Sequence, residues 1–468
     1  MQMRRLLLLG IAISAGLLNC GSGDGGGRPA GAAGKAASGA GGADAAGASA
    51  GGVAGARSDA AGTAGSGASA GSGASAGSGA SAGSGGTTGP GGNAAGGNAA
   101  GGMGGTIPLY PLDMNDVTIL APLPPSSDTS VLLRGTDLAD DGTAFVPRVL
   151  FDRLTAGREL GASPVLNAAT YDRLQLIAVR FDLCDRHLPG ACPEAEDARM
   201  RLVFQPLHPD GLADDAGFHA FYTVQRDEIA GAVAALHELA MIAPPQTGAL
   251  RVSPALSAAE PAAYATKLRA FVKRYGGDTR MLRLTMNAQP QIFAQIRWVF
   301  RGAEKQGDAF VDMPLVGGNA TDLSESVILS GSSSYDVTPT TDTPSGLLGA
   351  IQKTLFEAAD ATKQRDYFMA LAAVENPLTQ TAETVACVAC HVTTFVTSSR
   401  RADSSVDPLT LPARYSSKRD LSTAAGESGT TSGIRALGYN GRQPMISQRV
   451  VNDTAQTLAE IELRYPSL

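Results

Sequence analysis

Residues 384–394 read TVACVACHVTT, and the reading of this stretch decides how the C-terminal part of the chain folds. The chain has only five cysteines and five histidines in 468 residues, yet two of the former and one of the latter fall between 387 and 391. What Cys387, Cys390 and His391 do at that spacing depends on where the chain resides and on which partners it offers them.

The N-terminus points to export. Met1–Arg5 is a short positive region, and Leu6–Leu18 is apolar or small throughout, a length that suits a signal-peptide core and is short for a membrane span. The segment ends Leu17-Leu18-Asn19-Cys20-Gly21, which resembles a bacterial lipoprotein lipobox. That resemblance implies removal of the leader 1–20, lipidation of Cys20 and membrane attachment through it. Asn19 stands where the family has a small residue, and an ordinary secretory signal cut nearby is the alternative. Either reading exports the chain.

Residues 21–105 are almost entirely Gly, Ala and Ser, with GSGASA repeated at 65–70, 71–76 and 77–82. With almost no large apolar side chains, nothing there offsets the entropy of ordering a backbone. The composition predicts a flexible tether with a reach of roughly 50 Å. Residues 106–468 carry 32 of the 37 Lys and Arg and 41 of the 44 Asp and Glu, a net charge of −9. Mild acidity without a basic patch argues against nucleic acid or an anionic membrane surface as partner.

The five cysteines sort without remainder. Cys20 belongs to the lipobox. Cys184 and Cys192 flank Pro189-Gly190 and can close a short disulfide loop in an oxidising compartment. A metal site using both with His187 lacks a fourth ligand nearby. Cys387 and Cys390 remain, and lipidation of Cys20 accounts for the odd count.

Two folded domains are expected. Over 106–340, TYDRLQLIAVRF, MRLVFQPL, GFHAFYTVQ, TRMLRLTMNA and QIFAQIRWVF read as strands. Residues 227–241 and 260–274 carry helical apolar spacing. This predicts an α+β domain with a largely antiparallel sheet. Its histidines (His187, His208, His219, His237) stand singly and read as surface or structural residues, and no nucleophile, phosphate-binding or paired-carboxylate motif declares an enzyme. A Ser/Thr/Gly/Pro-rich loop then leads to a smaller, mainly α domain, 346–468. Helix is expected over 347–374, broken near Thr362 and stopped at Asn376-Pro377, followed by polar loops at 398–433. A closing helix near 453–465 is capped by Asp453 and Gln456, with Thr454, Leu458, Ile461 and Tyr465 as its stripe.

Cys387, Cys390 and His391 form a CxxCH motif, the spacing that attaches haem: two thiols meet one porphyrin edge and the next imidazole reaches the iron. Attachment follows export, so the motif and the leader agree. A disulfide or redox dithiol would leave His391 without a role. A zinc site would need a second Cys/His cluster in this domain. Helix, CxxCH, polar loops and a closing helix are similar to the small cytochrome c family. That resemblance implies one covalent haem c on Cys387 and Cys390, His391 as proximal iron ligand, and a downstream methionine as the sixth. No histidine follows His391, and the one methionine that does is Met445, with Met369 upstream in reserve. The whole chain also resembles a group of bacterial lipoproteins, which implies an exported, periplasm-facing or surface-exposed outer-membrane protein and no particular activity. The leading expectation is a lipid-anchored monohaem cytochrome that carries electrons to a partner protein and is not an enzyme. Two others stand beside it: a binding protein whose haem or CxxC disulfide is structural or sensory, and a haem peroxidase.

Overall fold

The fold is described from a computed structural model, covering residues 111–125, 132–156, 166–183, 196–243, 247–258, 261–289, 296–313, 324–330, 334–338, 342–381, 384–422 and 434–466. The leader, the tether, Cys20, His187 and the Cys184/Cys192 pair lie outside these residues.

An antiparallel sheet, entered through the short helix α1 (Met114–Val117), organises the chain, as the β-branched and aromatic segments predict. Its strands are β1 (Thr118–Leu120), β2 (Leu174–Asp182), β3 (Ala198–Pro206), β4 (Ala216–Val224), β5 (Met281–Ala288), β6 (Ile296–Gln306), β7 (Ala309–Asp312), β8 (Ser324–Ser330) and β9 (Ser334–Thr338). The spatial order is β1-β2-β3-β4-β5-β6-β8-β9, with β7 paired to the free end of β6. The TYD at the head of the first expected strand is instead the end of a short helix, α3 (Ala168–Asp172). Asn167 causes this: its side chain accepts from the N–H groups of Ala169 (2.9 Å) and Thr170 (3.2 Å) and nucleates a turn.

Both faces of the sheet are covered. On one, Phe218 of β4 meets Phe151 of α2 (Arg148–Thr155), with ring centroids 5.3 Å apart, and Tyr222 donates from its hydroxyl to the Phe145 carbonyl at 2.5 Å. Helices α4 (Ile229–Ile242) and α5 (Ala262–Tyr275) form close to their expected positions, and their apolar residues join this core.

The opposite face receives the C-terminal helices. The expected helix at 347–374 is three: α6 (Leu347–Ile351), α7 (Lys353–Glu357) and α8 (Ala361–Glu375). The last break is made by Asp360, whose carboxylate caps the Lys363 N–H at 2.8 Å. Asn376 ends α8 as expected, its side chain donating to the Ala413 carbonyl and accepting from the Leu378 N–H, both at 2.9 Å. Helix α9 (Cys387–Ala402) occupies ground read as motif and loop, and an unexpected hairpin, β10 (Leu437–Asn440) with β11 (Gln443–Ile446), precedes α10 (Gln448–Arg464). The closing helix therefore starts earlier than expected. Ser447 is its cap, and Asp453 lies inside it, paired with Arg449 at 2.8 Å and with Arg180 of β2 at 3.2 Å.

Two hydrophobic cores result, and residues 106–340 and 346–468 share both. Ile446, Val451, Leu458 and Ile461 bury into the same hydrophobic core as the sheet's first strands. Trp298 and Phe300 of β6 bury into the core formed by α6, α8 and α9. The described residues, from 111 onward, belong to one compact unit.

Candidate functional site

The CxxCH motif opens a helix. Cys387, Cys390 and His391 are the first, fourth and fifth residues of α9. Residues three and four apart share a helical face, so both thiols and the imidazole lie on one side, with Thr394 a turn further on. Ala386, buried and extended, precedes the helix without a side-chain cap, and the first return bond runs from Cys390 N–H to Ala386 O at 3.2 Å. Helix α8 ends at Glu375, at the expected Asn376-Pro377 stop, and the motif begins the next helix.

His391 is half-buried and held from several sides. Its Nδ1 lies 2.8 Å from the carbonyl oxygen of Ile434, just before the β10–β11 hairpin. A carbonyl only accepts, so Nδ1 carries the proton and Nε2 keeps its lone pair. Phe300 of β6 meets the ring edge to face at 5.0 Å. Burial lowers the imidazole pKa to about 4, partly opposed by the Ile434 carbonyl and reinforced by the charge of Arg201.

The sheet brings His219 to the same place. This residue sits mid-strand on β4, between Val203 of β3 and Thr285 of β5. Its ring centroid is 5.9 Å from that of His391, with planes at 76°. It is 8 % exposed, and its pKa falls well below the ordinary value through burial first, then the proximity of His391 and of Arg201. Arg201 lies over the Phe221 ring at 4.6 Å and pairs with Asp182 at 3.2 Å. The site is thus a neutral imidazole pair with the Arg201 guanidinium nearby.

Met445 is on β11 opposite Gly438, 1 % exposed. Met369 of α8 packs half-buried on the same apolar cluster as Cys387 and Cys390. His208 is an exposed partner of Asp214, and His237 is buried on α4. Thr394 donates to Glu375 Oε1 at 2.9 Å and accepts from the Gln448 N–H at 3.0 Å, tying α9 to α8 and α10. Arg435, next to Ile434, stacks over Trp298 at 4.9 Å and pairs with Asp215.

The sequence does not show that His219 meets His391. Phe218, Ala220 and Tyr222 mark one face of β4 as buried, which assigns His219 to the other face, but strand alternation does not say that a helix bearing a second histidine covers it. Among the described residues no three His, Cys, Asp or Glu converge as a metal-ion site. What converges is a pair of imidazoles, with the Cys390 thiol next to His391 in the helix and that of Cys387 one turn before it. By donor chemistry this set fits haem c: the porphyrin fills four iron positions, so the protein needs supply only one or two axial donors beside its thioether attachments. None of the described helices is long and apolar enough to cross a membrane. Comparison with family models, with curated proteins and with solved structures returns no match.

Proposed function

We propose that the chain is an exported, lipid-anchored haem c protein that passes electrons, with one haem attached through Cys387 and Cys390 and His391 on the iron. The observation that carries this reading is the 2.8 Å contact of His391 Nδ1 with the Ile434 carbonyl. Metal-bound histidines almost always donate their other ring N–H in this way, which fixes the tautomer, orients the ring and raises the basicity of the free nitrogen. Burial keeps the ring uncharged at neutral pH, so no proton competes for Nε2. Helix α9 sets the two thiols and the imidazole on one face, and Phe300 shields the ring from water. Haem, when bound, supplies one-electron chemistry. The tether would let the folded part range from its anchor at Cys20 towards a redox partner protein.

A second reading takes Cys387 and Cys390 as a structural or sensory thiol–disulfide pair in a binding protein. It is favoured by the place of Cys387 at the uncapped first position of a 16-residue helix, where the helix dipole stabilises a thiolate. The two readings separate in one preparation made with the haem-attachment machinery. The haem reading expects a c-type pyridine haemochrome that persists on the denatured chain, and a shifted band in Cys387→Ser and Cys390→Ser, each left with one thioether. The thiol reading expects no haem and two thiols that appear and disappear with the ambient redox potential.

A further inference from the structure

We infer that His219, on β4, is the second axial ligand of the iron that His391 binds, so that the haem joins the sheet to α9. The inference rests on the haem reading proposed above and concerns its sixth position, for which the sequence alone points to Met445.

Three observations carry it. The first is separation: the two ring centroids stand 5.9 Å apart. Metal–nitrogen bonds of about 2 Å on opposite sides of one metal place two imidazole centroids roughly 6 Å apart. The second is burial: His219 is 8 % exposed, and keeping a polar ring out of water at mid-sheet carries a cost that ligation would offset. The third is the hydrogen bond of His391: Nδ1, 2.8 Å from the Ile434 carbonyl, is occupied, which leaves Nε2 for the iron. The two histidines come from different layers. His219 is anchored mid-sheet by the ladders to β3 and β5, and His391 by α9 and the Ile434 carbonyl. Ligation by both would therefore clamp the C-terminal helices to the sheet face. Two imidazoles also give a lower reduction potential than one imidazole with a thioether.

The test uses the full-length holoprotein and three variants: His219→Ala, His219→Met and Met445→Leu. Oxidised wild type is expected to be low-spin by electron paramagnetic resonance, without the visible charge-transfer band of thioether-to-iron bonding. Met445→Leu should leave that spectrum unchanged. His219→Ala should convert the iron to high spin, with added imidazole restoring low spin. His219→Met should stay low-spin, gain the thioether band and raise the potential. The inference is overturned if wild type shows a thioether band that Met445→Leu abolishes, or if His219→Ala leaves the low-spin spectrum intact. Should His219→Ala not fold, His219→Met decides, and an unaltered spectrum and potential in it overturn the assignment. A wild-type preparation lacking the c-type haemochrome band overturns the haem reading itself, and the ligand assignment with it. A present band with the wrong axial spectrum overturns the ligand assignment alone.

Discussion

Glu375 closes α8 with its carboxyl 6 % exposed, accepting a hydrogen bond from Thr394. Burial raises its pKa from 4.5 to about 7, against the Thr394 hydroxyl and the charges of Arg414 and Arg449. A carboxyl with a raised folded pKa favours the native state while protonated. Its contribution is complete below the unfolded value near 4.5 and is lost as pH rises through about 7. Denaturant unfolding at pH 5 and pH 8 should therefore show a loss on the alkaline side of roughly 1–3 kcal/mol from this group. Glu375→Gln keeps an acceptor for Thr394 and should flatten that dependence; an unchanged pH profile would refute the buried-acid reading. His391 runs the other way. Its depressed pKa stabilises the fold above 6.5 and is lost as pH falls through about 4. The crowding of Cys387, Cys390 and His391 is legible because it is local, whereas the meeting of His219 with His391 is not, because the two lie far apart in the chain.

At the scale of elements, the strands of the first half were legible from their β-branched and aromatic content, and its two long helices from the helical spacing of their apolar residues. Helix ends were less so, because several polar residues compete to cap. Asp453 with Gln456 has the pattern of a capping box, but Ser447 precedes the buried Val450 and Val451, and the helix extends back to it. Ser447→Ala should then cost about 1 kcal/mol of stability. Asp453→Ala should cost more, about 3 kcal/mol or above, because Asp453 is one of two carboxylates against Arg180, which is 3 % exposed. The reverse order in chemical denaturation would restore Asp453 to the cap. The β10–β11 hairpin gave no signal in hydrophobic pattern. It is placed by tertiary contacts: the Gln205 side chain accepts from the Tyr439 N–H at 2.7 Å and donates to its carbonyl at 3.1 Å. Gly438, at φ +153°, lets the hairpin approach, since a Cβ there would lie 2.6 Å from Gln205 Oε1.

Across the whole molecule, the C-terminal helices complete the sheet's second face. Thr118 of β1 bonds Thr454 of α10 at 2.7 Å, Arg180 pairs with Asp453, and Trp298 and Phe300 complete the core under α9. Two domains were expected because composition changes near residue 340, but a change of composition marks a loop and not the limit of a core. With both cores shared, calorimetry should show one cooperative transition for the folded part, with van't Hoff and calorimetric enthalpies equal. Two separable transitions would contradict that coupling. The haem assignment itself is tested most directly by peptide mass mapping of the exported protein. The peptide containing TVACVACHVTT should carry one haem mass added across Cys387 and Cys390 and absent from the Cys387→Ser/Cys390→Ser double variant. The same peptide recovered unmodified, or with only a disulfide between its cysteines, would contradict it.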